Sequence, residues 1–189
     1  FTIEDRKLYM LQTRNGKRTA AAAVKTAVDM VEEGLITKEE AILRIEPAQL
    51  DALLHPGIDP AHGQACLVKG LPASPGAAVG ALSFDADDAA ERGKAGEKII
   101  LVRYETTPDD IAGVMVSQGV LTAHGGMTSH AAVVARGMGI PCVAGAPGIK
   151  IDVAGETVTI AGVSYGRTDV LTLDGTTGEV YPGALELVP

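Results

Sequence analysis

The sequence predicts a mainly β domain with a few helices, an α+β or layered β/β/α fold, preceded by a helical hairpin. Three observations carry this. Short β-type runs recur from Ala77 to Pro182, helical patterns interrupt them at three places, and residues 19–54 carry helical periodicity with capping signals. The 189 residues hold one ordinary domain with room for an appendage, and a hydrophobic content of 46% supports a real core. No fixed-period repeat is visible.

Residues 1–14 read as one strand or hairpin arm, alternating at Leu8 and Met10, with no partner strand ahead of it and the reversal signal Asn15-Gly16 at its end. Phe1 stands first instead of Met, so the chain reads as a piece of something longer. From Thr19 to Glu33, Ala20, Val24, Ala27, Val28 and Val31 follow the spacing of an amphipathic helix that Gly34 ends. Thr37 and Glu40 form a capping box that opens a second helix through Ile42 and Ile45 to Pro47, and a short third helix is expected at Ala48 to Leu54.

Two segments dense in Pro and Gly follow, His55-Pro56-Gly57-Ile58-Asp59-Pro60 and Leu71-Pro72-Ala73-Ser74-Pro75-Gly76, and the main domain is expected to start between them. Strands are predicted at 77–84, 98–104, 120–122, 142–143, 157–161, 170–174 and 179–182, the last two joined by a hairpin loop at Asp174 to Gly178. Helices are predicted at 85–92, 108–118 and 129–136, the first with Asp85, Asp87 and Asp88 at its start.

Charge and composition narrow the partners. A formal charge of −8 with four tyrosines, two phenylalanines and no tryptophan argues against nucleic acid, which asks for a basic face and stacking platforms. No apolar run approaches the roughly 20 residues of a membrane span, so no membrane partner is expected and the cytoplasm is the expected location. Cys66 and Cys142 are far apart and in no ligand spacing, which points to neither a disulfide framework nor a metal site. Cys142 reads as a core residue, and His55 and His62 as solvated linker residues.

The chemistry concentrates in Leu121 to Gly145, LTAHGGMTSHAAVVARGMGIPCVAG. A buried strand leads through Gly125 and Gly126 into a helix whose first residues are Thr128, Ser129 and His130. Glycines let the backbone turn sharply and approach a ligand, and a helix start aims free N–H groups at an anion. Thr128 or Ser129 supplies the capping hydroxyl. A phosphoryl group on His130 would gain about 0.3–1 kcal/mol from the positive end of the helix. Two readings stay open on these residues: a phosphoryl-accepting or anion-binding site, or a histidine that caps a helix. Arg136, two turns further along, reaches a phosphate or makes a structural ion pair. His124 stands just ahead of the glycines and either assists phosphate binding or is a plain loop residue.

GGMTSHAAVVARGMGIP, residues 125–141, resembles the phosphohistidine signature of the enzymes that interconvert pyruvate and phosphoenolpyruvate. Two flanking stretches are similar to the pyruvate phosphate dikinase branch of that family. LYMLQTRNGKRTAAAAVKTAVDMVEEGLI at 8–36 looks like the join between its nucleotide-binding domain and a helical linker, and PASPGAAVG at 72–80 looks like the start of its swivelling domain.

The resemblance implies three parts: 1–18, the C-terminal tail of an ATP-grasp-type nucleotide-binding domain; 19–68, a helical linker; and 69–189, a swivelling phosphohistidine domain. It implies that His130 carries the phosphoryl group, that Gly125, Gly126, Thr128, Ser129 and Arg136 support it, and that Gln12 and Arg14 belong to a nucleotide site. It also implies Mg2+ held mainly outside this chain, an ATP-grasp domain and a pyruvate/phosphoenolpyruvate barrel as partners in the full-length chain, and a homodimer. Thr128 matches the position at which plant members are regulated by phosphorylation, where a charge of about −2 would repel incoming phosphate. A phosphoenolpyruvate synthase-like carrier and a non-catalytic anion-binding module are the alternatives.

Overall fold

Residues 1–13 and 18–188 are described by the computed structural model, and they divide into two units, Phe1–Leu53 and Leu54–Pro189. The first unit opens with strands β1 (Thr2–Glu4) and β2 (Lys7–Tyr9), an antiparallel pair in which Ile3 faces Leu8. This corrects the expectation that the strand through Leu8 lacks a partner. The turn between them uses Asp5 and Arg6 at φ of 48° and 60°. It lacks the glycine that usually marks such a two-residue loop, so nothing in the sequence announces it. The expected reversal at Asn15-Gly16 lies outside the described residues.

Helix α1 (Ala20–Glu32) starts where Thr19 Oγ1 accepts from the Ala22 N–H at 3.3 Å. Helix α2 (Lys38–Leu43) has the predicted capping box: the Glu40 N–H donates to Thr37 Oγ1 at 3.2 Å, and the Thr37 N–H donates to the Glu40 carboxylate at 2.9 Å. A short α3 (Pro47–Leu53) follows. Ala27, Val28 and Val31 of α1 line a shallow apolar groove with Ala41, Ile42 and Ile45.

The second unit contains β3 (Gly57–Ile58), β4 (Val68–Lys69), β5 (Leu71–Ser74), β6 (Ala77–Ser83), α4 (Ala86–Lys94) and β7 (Ile99–Arg103). A 3-10 turn (Pro108–Asp110) leads into α5 (Ile111–Val116), then β8 (Gly119–Thr122), α6 (His130–Met138) and β9 (Cys142–Ala144). The chain ends with β10 (Lys150–Asp152), β11 (Thr157–Ile160), β12 (Val163–Gly166), β13 (Val170–Asp174), β14 (Glu179–Pro182) and β15 (Leu187–Val188).

Eight strands form one mixed sheet in the order β4-β14-β13-β6-β7-β8-β9-β5. Strands β6 to β9 run parallel, joined in turn by α4, α5 and α6, while β5 and β13 flank this block antiparallel. The unit is therefore mixed α and β, as an α+β domain is, but it contains a regularly alternating β-α block with parallel strands, which corrects the expectation of a fold without such alternation. The three helices of that block have nine, six and nine residues, too short for a strong period.

Strand β7 shows how the core divides. Ile99 and Leu101 join a cluster with Ala89 of α4, Val114 of α5 and Ala131, Ala132 and Ala135 of α6. Ile100 and Val102 join a second cluster with Val158 and Ile160 of β11, in the three-stranded sheet β10-β11-β12. Alternate side chains of a strand point to opposite faces, so one strand serves two clusters. Among the described residues no helix is long and apolar enough to cross a membrane.

A charged network ties α4 to the loop after β12. Asp88 accepts from Ser83 Oγ at 2.6 Å and from Arg92 Nη1 at 3.2 Å, and pairs with Arg167. Burial alone would raise the Asp88 carboxyl; the hydrogen bonds from Ser83 and Arg92 and the charges of Arg167 and Arg92 outweigh it and hold the group below its ordinary range. A carboxyl depressed in the folded state adds stability above its ordinary value and loses it as pH falls toward the folded value. Urea unfolding at about pH 7 and about pH 3 is expected to show the chain losing stability, and the Asp88→Asn variant, weaker at the start, losing less over that interval.

Candidate functional site at the start of helix α6

Strand β8 is buried along its whole length and ends at Thr122. Beyond it the chain runs beside the loop that leaves β7: the Ala123 N–H donates to the Arg103 carbonyl at 3.1 Å and the His124 N–H to the Tyr104 carbonyl at 2.7 Å. Thr122 also anchors a third segment. Its Oγ1 accepts from the Gly145 N–H at 3.2 Å and its carbonyl from the Ala146 N–H at 2.9 Å. This seats the loop after β9 against the glycine turn. Gly145 has a φ of 57°, and a Cβ there would overlap the carbonyl oxygen of Gly125. Gly125 itself has a φ of 120° and packs on Ser129. Both positions therefore need glycine.

Ser129 is the cap. Its backbone is extended, its N–H donates to the Gly126 carbonyl at 3.0 Å, and its Oγ accepts from the Ala132 N–H at 3.3 Å. Of the two hydroxyls that the sequence offers, the structure uses Ser129 in this role; Thr128 is exposed. Helix α6 then buries Ala131, Ala132 and Ala135, whose small side chains seat it on the sheet, and ends at Gly139 in the left-handed conformation.

His130 is the first residue of α6 and half-buried. Its Nε2 is enclosed and has no hydrogen-bond partner among the described residues. Buried polar atoms are normally paired, so this imidazole nitrogen stands out at the helix start. The free N–H groups of the first turn supply partial positive charge beside it.

The remaining predicted residues fall in three places. Arg136 lies six residues along the helix, and its Nε and Nη2 donate to the Ala73 carbonyl of β5 at 3.1 and 2.6 Å. The contact is structural, but it is made to a backbone carbonyl and not as the expected ion pair: the guanidinium braces α6 against the edge strand. Gln12 is in the first unit, and Arg14 lies outside the described residues. His124 is exposed and stacks on Tyr104, ring centroids 5.5 Å apart and 3° from parallel, with Nδ1 3.5 Å from Glu105. Cys142 is fully buried, and burial pushes its thiol up to about 12 against the opposing charge of Arg136, so it is inert at neutral pH.

Thr122 and Gly145 escape a reading of the motif alone. Gly145 closes an apolar run and looks like an ordinary turn, and Thr122 is one polar residue in a buried strand. A buried threonine directly before a glycine turn was the available signal.

With this geometry in place, the comparison with known proteins is direct. The family model for "PEP-utilising enzyme, mobile domain" matches residues 95–178, which include β7, β8, the glycine turn and α6. Over nearly its whole length the chain is similar to pyruvate, phosphate dikinases. It is 61% identical over 187 residues to that of Entamoeba histolytica, covering 99% of this chain and 21% of the relative. It is 55% identical over 188 residues to that of Clostridium symbiosum (98% and 22%), and 51% identical over 191 residues to pyruvate, phosphate dikinase 2 of Oryza sativa subsp. japonica (100% and 22%). The chain thus spans about a fifth of the length of these relatives.

The contact between Gly125 and Gly145 is testable. Gly145→Ala forces a Cβ into the Gly125 carbonyl at a positive φ, and is expected to cost about 1–3 kcal/mol or more. Ser129→Ala removes one cap bond and is expected to cost about 0.5–2 kcal/mol. Chemical denaturation of the two variants measures both.

Proposed function

We propose that this chain is the central phosphocarrier part of a pyruvate phosphate dikinase, with His130 as the residue that takes and passes on the phosphoryl group. The observation that carries the reading is the enclosed, unpartnered Nε2 of His130 at the start of α6, beside a glycine turn, within a segment 61% identical to a named dikinase. In the proposed reaction ATP pyrophosphorylates His130, inorganic phosphate takes the outer phosphoryl and leaves as diphosphate, and pyruvate takes the remaining one to give phosphoenolpyruvate. The sum is ATP, pyruvate and phosphate giving AMP, phosphoenolpyruvate and diphosphate.

The carrier would serve two active sites built by other parts of a longer chain, an ATP-grasp domain and a pyruvate/phosphoenolpyruvate barrel, in a homodimer in the cytoplasm. Residues 1–18 are proposed as the end of the ATP-grasp domain, with Gln12 and Arg14 on the nucleotide, 19–68 as linker, and 69–189 as the layered swivelling domain. Hinges are proposed at the Pro- and Gly-rich stretch 55–60 and the segment after Ala184; the stretch at 69–76, expected as a third, is built into the central sheet as β5. The Mg2+ of such a reaction is proposed to be held mainly by the domains outside this chain.

Gly125, Gly126 and Ser129 shape the phosphate cradle in this reading, and Arg136 holds the helix that presents it. Thr128, exposed two residues before His130, is a proposed site of regulatory phosphorylation. The identity to dikinases favours phosphate over water as second acceptor, and so disfavours a synthase-like carrier.

Incubation of the full-length enzyme with labelled phosphoenolpyruvate, followed by peptide mapping, tests the carrier role. Acid-labile, base-stable phosphate on His130 is expected, with none in His130→Ala. Full labelling of that variant would return His130 to a helix-capping role.

A further inference from the structure

Strands β4 and β5 lie at opposite edges of the eight-stranded sheet, yet only Gly70 separates them in the chain. One short segment therefore pairs with both edges. Val68 and Lys69 stand opposite Val180 and Glu179 of β14, while Leu71, Pro72 and Ser74 stand opposite Ala144, Val143 and Cys142 of β9. Through residues 68–74 the sheet closes on itself, as a barrel does, and Leu67 and Val68 pack on the cluster that holds Val143 and Val180.

The closure is tight at three glycines. The Gly70 N–H donates to the Gly178 carbonyl at 2.8 Å, and a Cβ on Gly70 would stand 2.8 Å from the Ala144 carbonyl oxygen and from Cγ1 of Val143. A Cβ on Gly178, whose φ is 81°, would overlap the Gly70 carbonyl oxygen, and one on Gly175 would overlap that of Ser74. At these points the two edges meet with no room for a side chain.

The two halves of the segment hold different things. The first is fixed to β14: the Leu67 N–H donates to the Val180 carbonyl at 2.8 Å, and Lys69 pairs with Glu179 at 3.0 Å. The second carries two supports of the candidate site. Ala73 gives its carbonyl to Arg136 of α6, and Leu71 pairs with Ala144, next to the Gly145 that presses on Gly125.

We infer that residues 67–74 are a strap that opens and closes as one unit, so that its hold on β14 at one edge governs the mount of α6 and of the glycine turn at the other. Strands of two and four residues have few ladder bonds of their own, and Pro72 donates none. The central strands are paired on both sides, which makes the strap the less stable part of the sheet and the first to open. In the carrier reading, on which its use rests, the closed strap keeps the mount of His130 stiff while the domain swings.

Hydrogen exchange on the full-length enzyme, read by mass spectrometry of overlapping peptides, tests this. Gly178→Ala drives a Cβ into the Gly70 carbonyl at a positive φ. Exchange is expected to rise about tenfold or more at 67–70 and equally at 71–74, at 144–146 and in the first turn of α6, with β7 unchanged. Unchanged exchange at 71–74 and 144–146 overturns the inference, and so does a loss of protection that reaches β7 equally.

Native-state exchange in rising urea needs no substitution and takes the place of the variant where that fails to fold. Residues 67–74 and 144–146 are expected to open with one common urea dependence, ahead of β7. Separate dependences for 67–70 and 71–74 overturn the inference. Exchange involves no phosphoryl transfer, so its outcome is independent of the labelling of His130, which alone decides the carrier reading.

Discussion

The hydrogen bonds of Thr122 are the constraint on which the site depends. One residue at the end of β8 holds the Gly145 and Ala146 amides, and through them presses the loop after β9 onto the glycine turn. Backbone polar groups cannot be buried unpaired without a penalty, so the loops have little freedom once this threonine is in place. The need for glycine at 125 and 145 follows from the resulting close approach. So does the direction of α6, because Ser129 packs against Gly125 and begins the helix there.

The helix is held from three sides by modest means. Ser129 caps its start, Ala131, Ala132 and Ala135 let it lie close on the sheet, and Arg136 binds its second half to the carbonyl of Ala73. Small residues at the contact matter because larger ones would lift the helix and carry its first turn away from the glycine turn. The cluster beneath is shared with Ile99 and Leu101, so the position of the helix is tied to the packing of the central strand.

Most of this order was legible before any coordinates, and the misses have physical causes. The capping box at Thr37, the hairpin at Asp174 to Gly178 and the strand-turn-helix at Leu121 to Arg136 are local, so the pattern carries them. Strands β3 and β15 are two residues each and exist because distant segments meet, with Ile58 opposite Leu187. No local window contains that information. Strand β5 was hidden by its proline, which an edge position tolerates. At the site, His130, Ser129 and the glycines were visible, while Thr122 sat unnoticed in a buried strand.

The engagement of Arg136 elsewhere bears on what kind of anion site this can be. A guanidinium paired with a phosphate makes strong, often bidentate, charge-assisted bonds, about twice the strength of neutral ones. Helix-terminal N–H groups offer on the order of 0.3–1 kcal/mol. A site that stores phosphate gains from the first. A site that must surrender a phosphoryl group at another location gains from the second, because each strong contact made to the bound group has to be broken again before it leaves. With Arg136 on Ala73 and backbone amides at the start of α6, the balance is tilted toward release. In the carrier reading the tight grip on phosphate then belongs to the domains that donate and accept, and this chain contributes a histidine, a neutral cradle and a rigid mount.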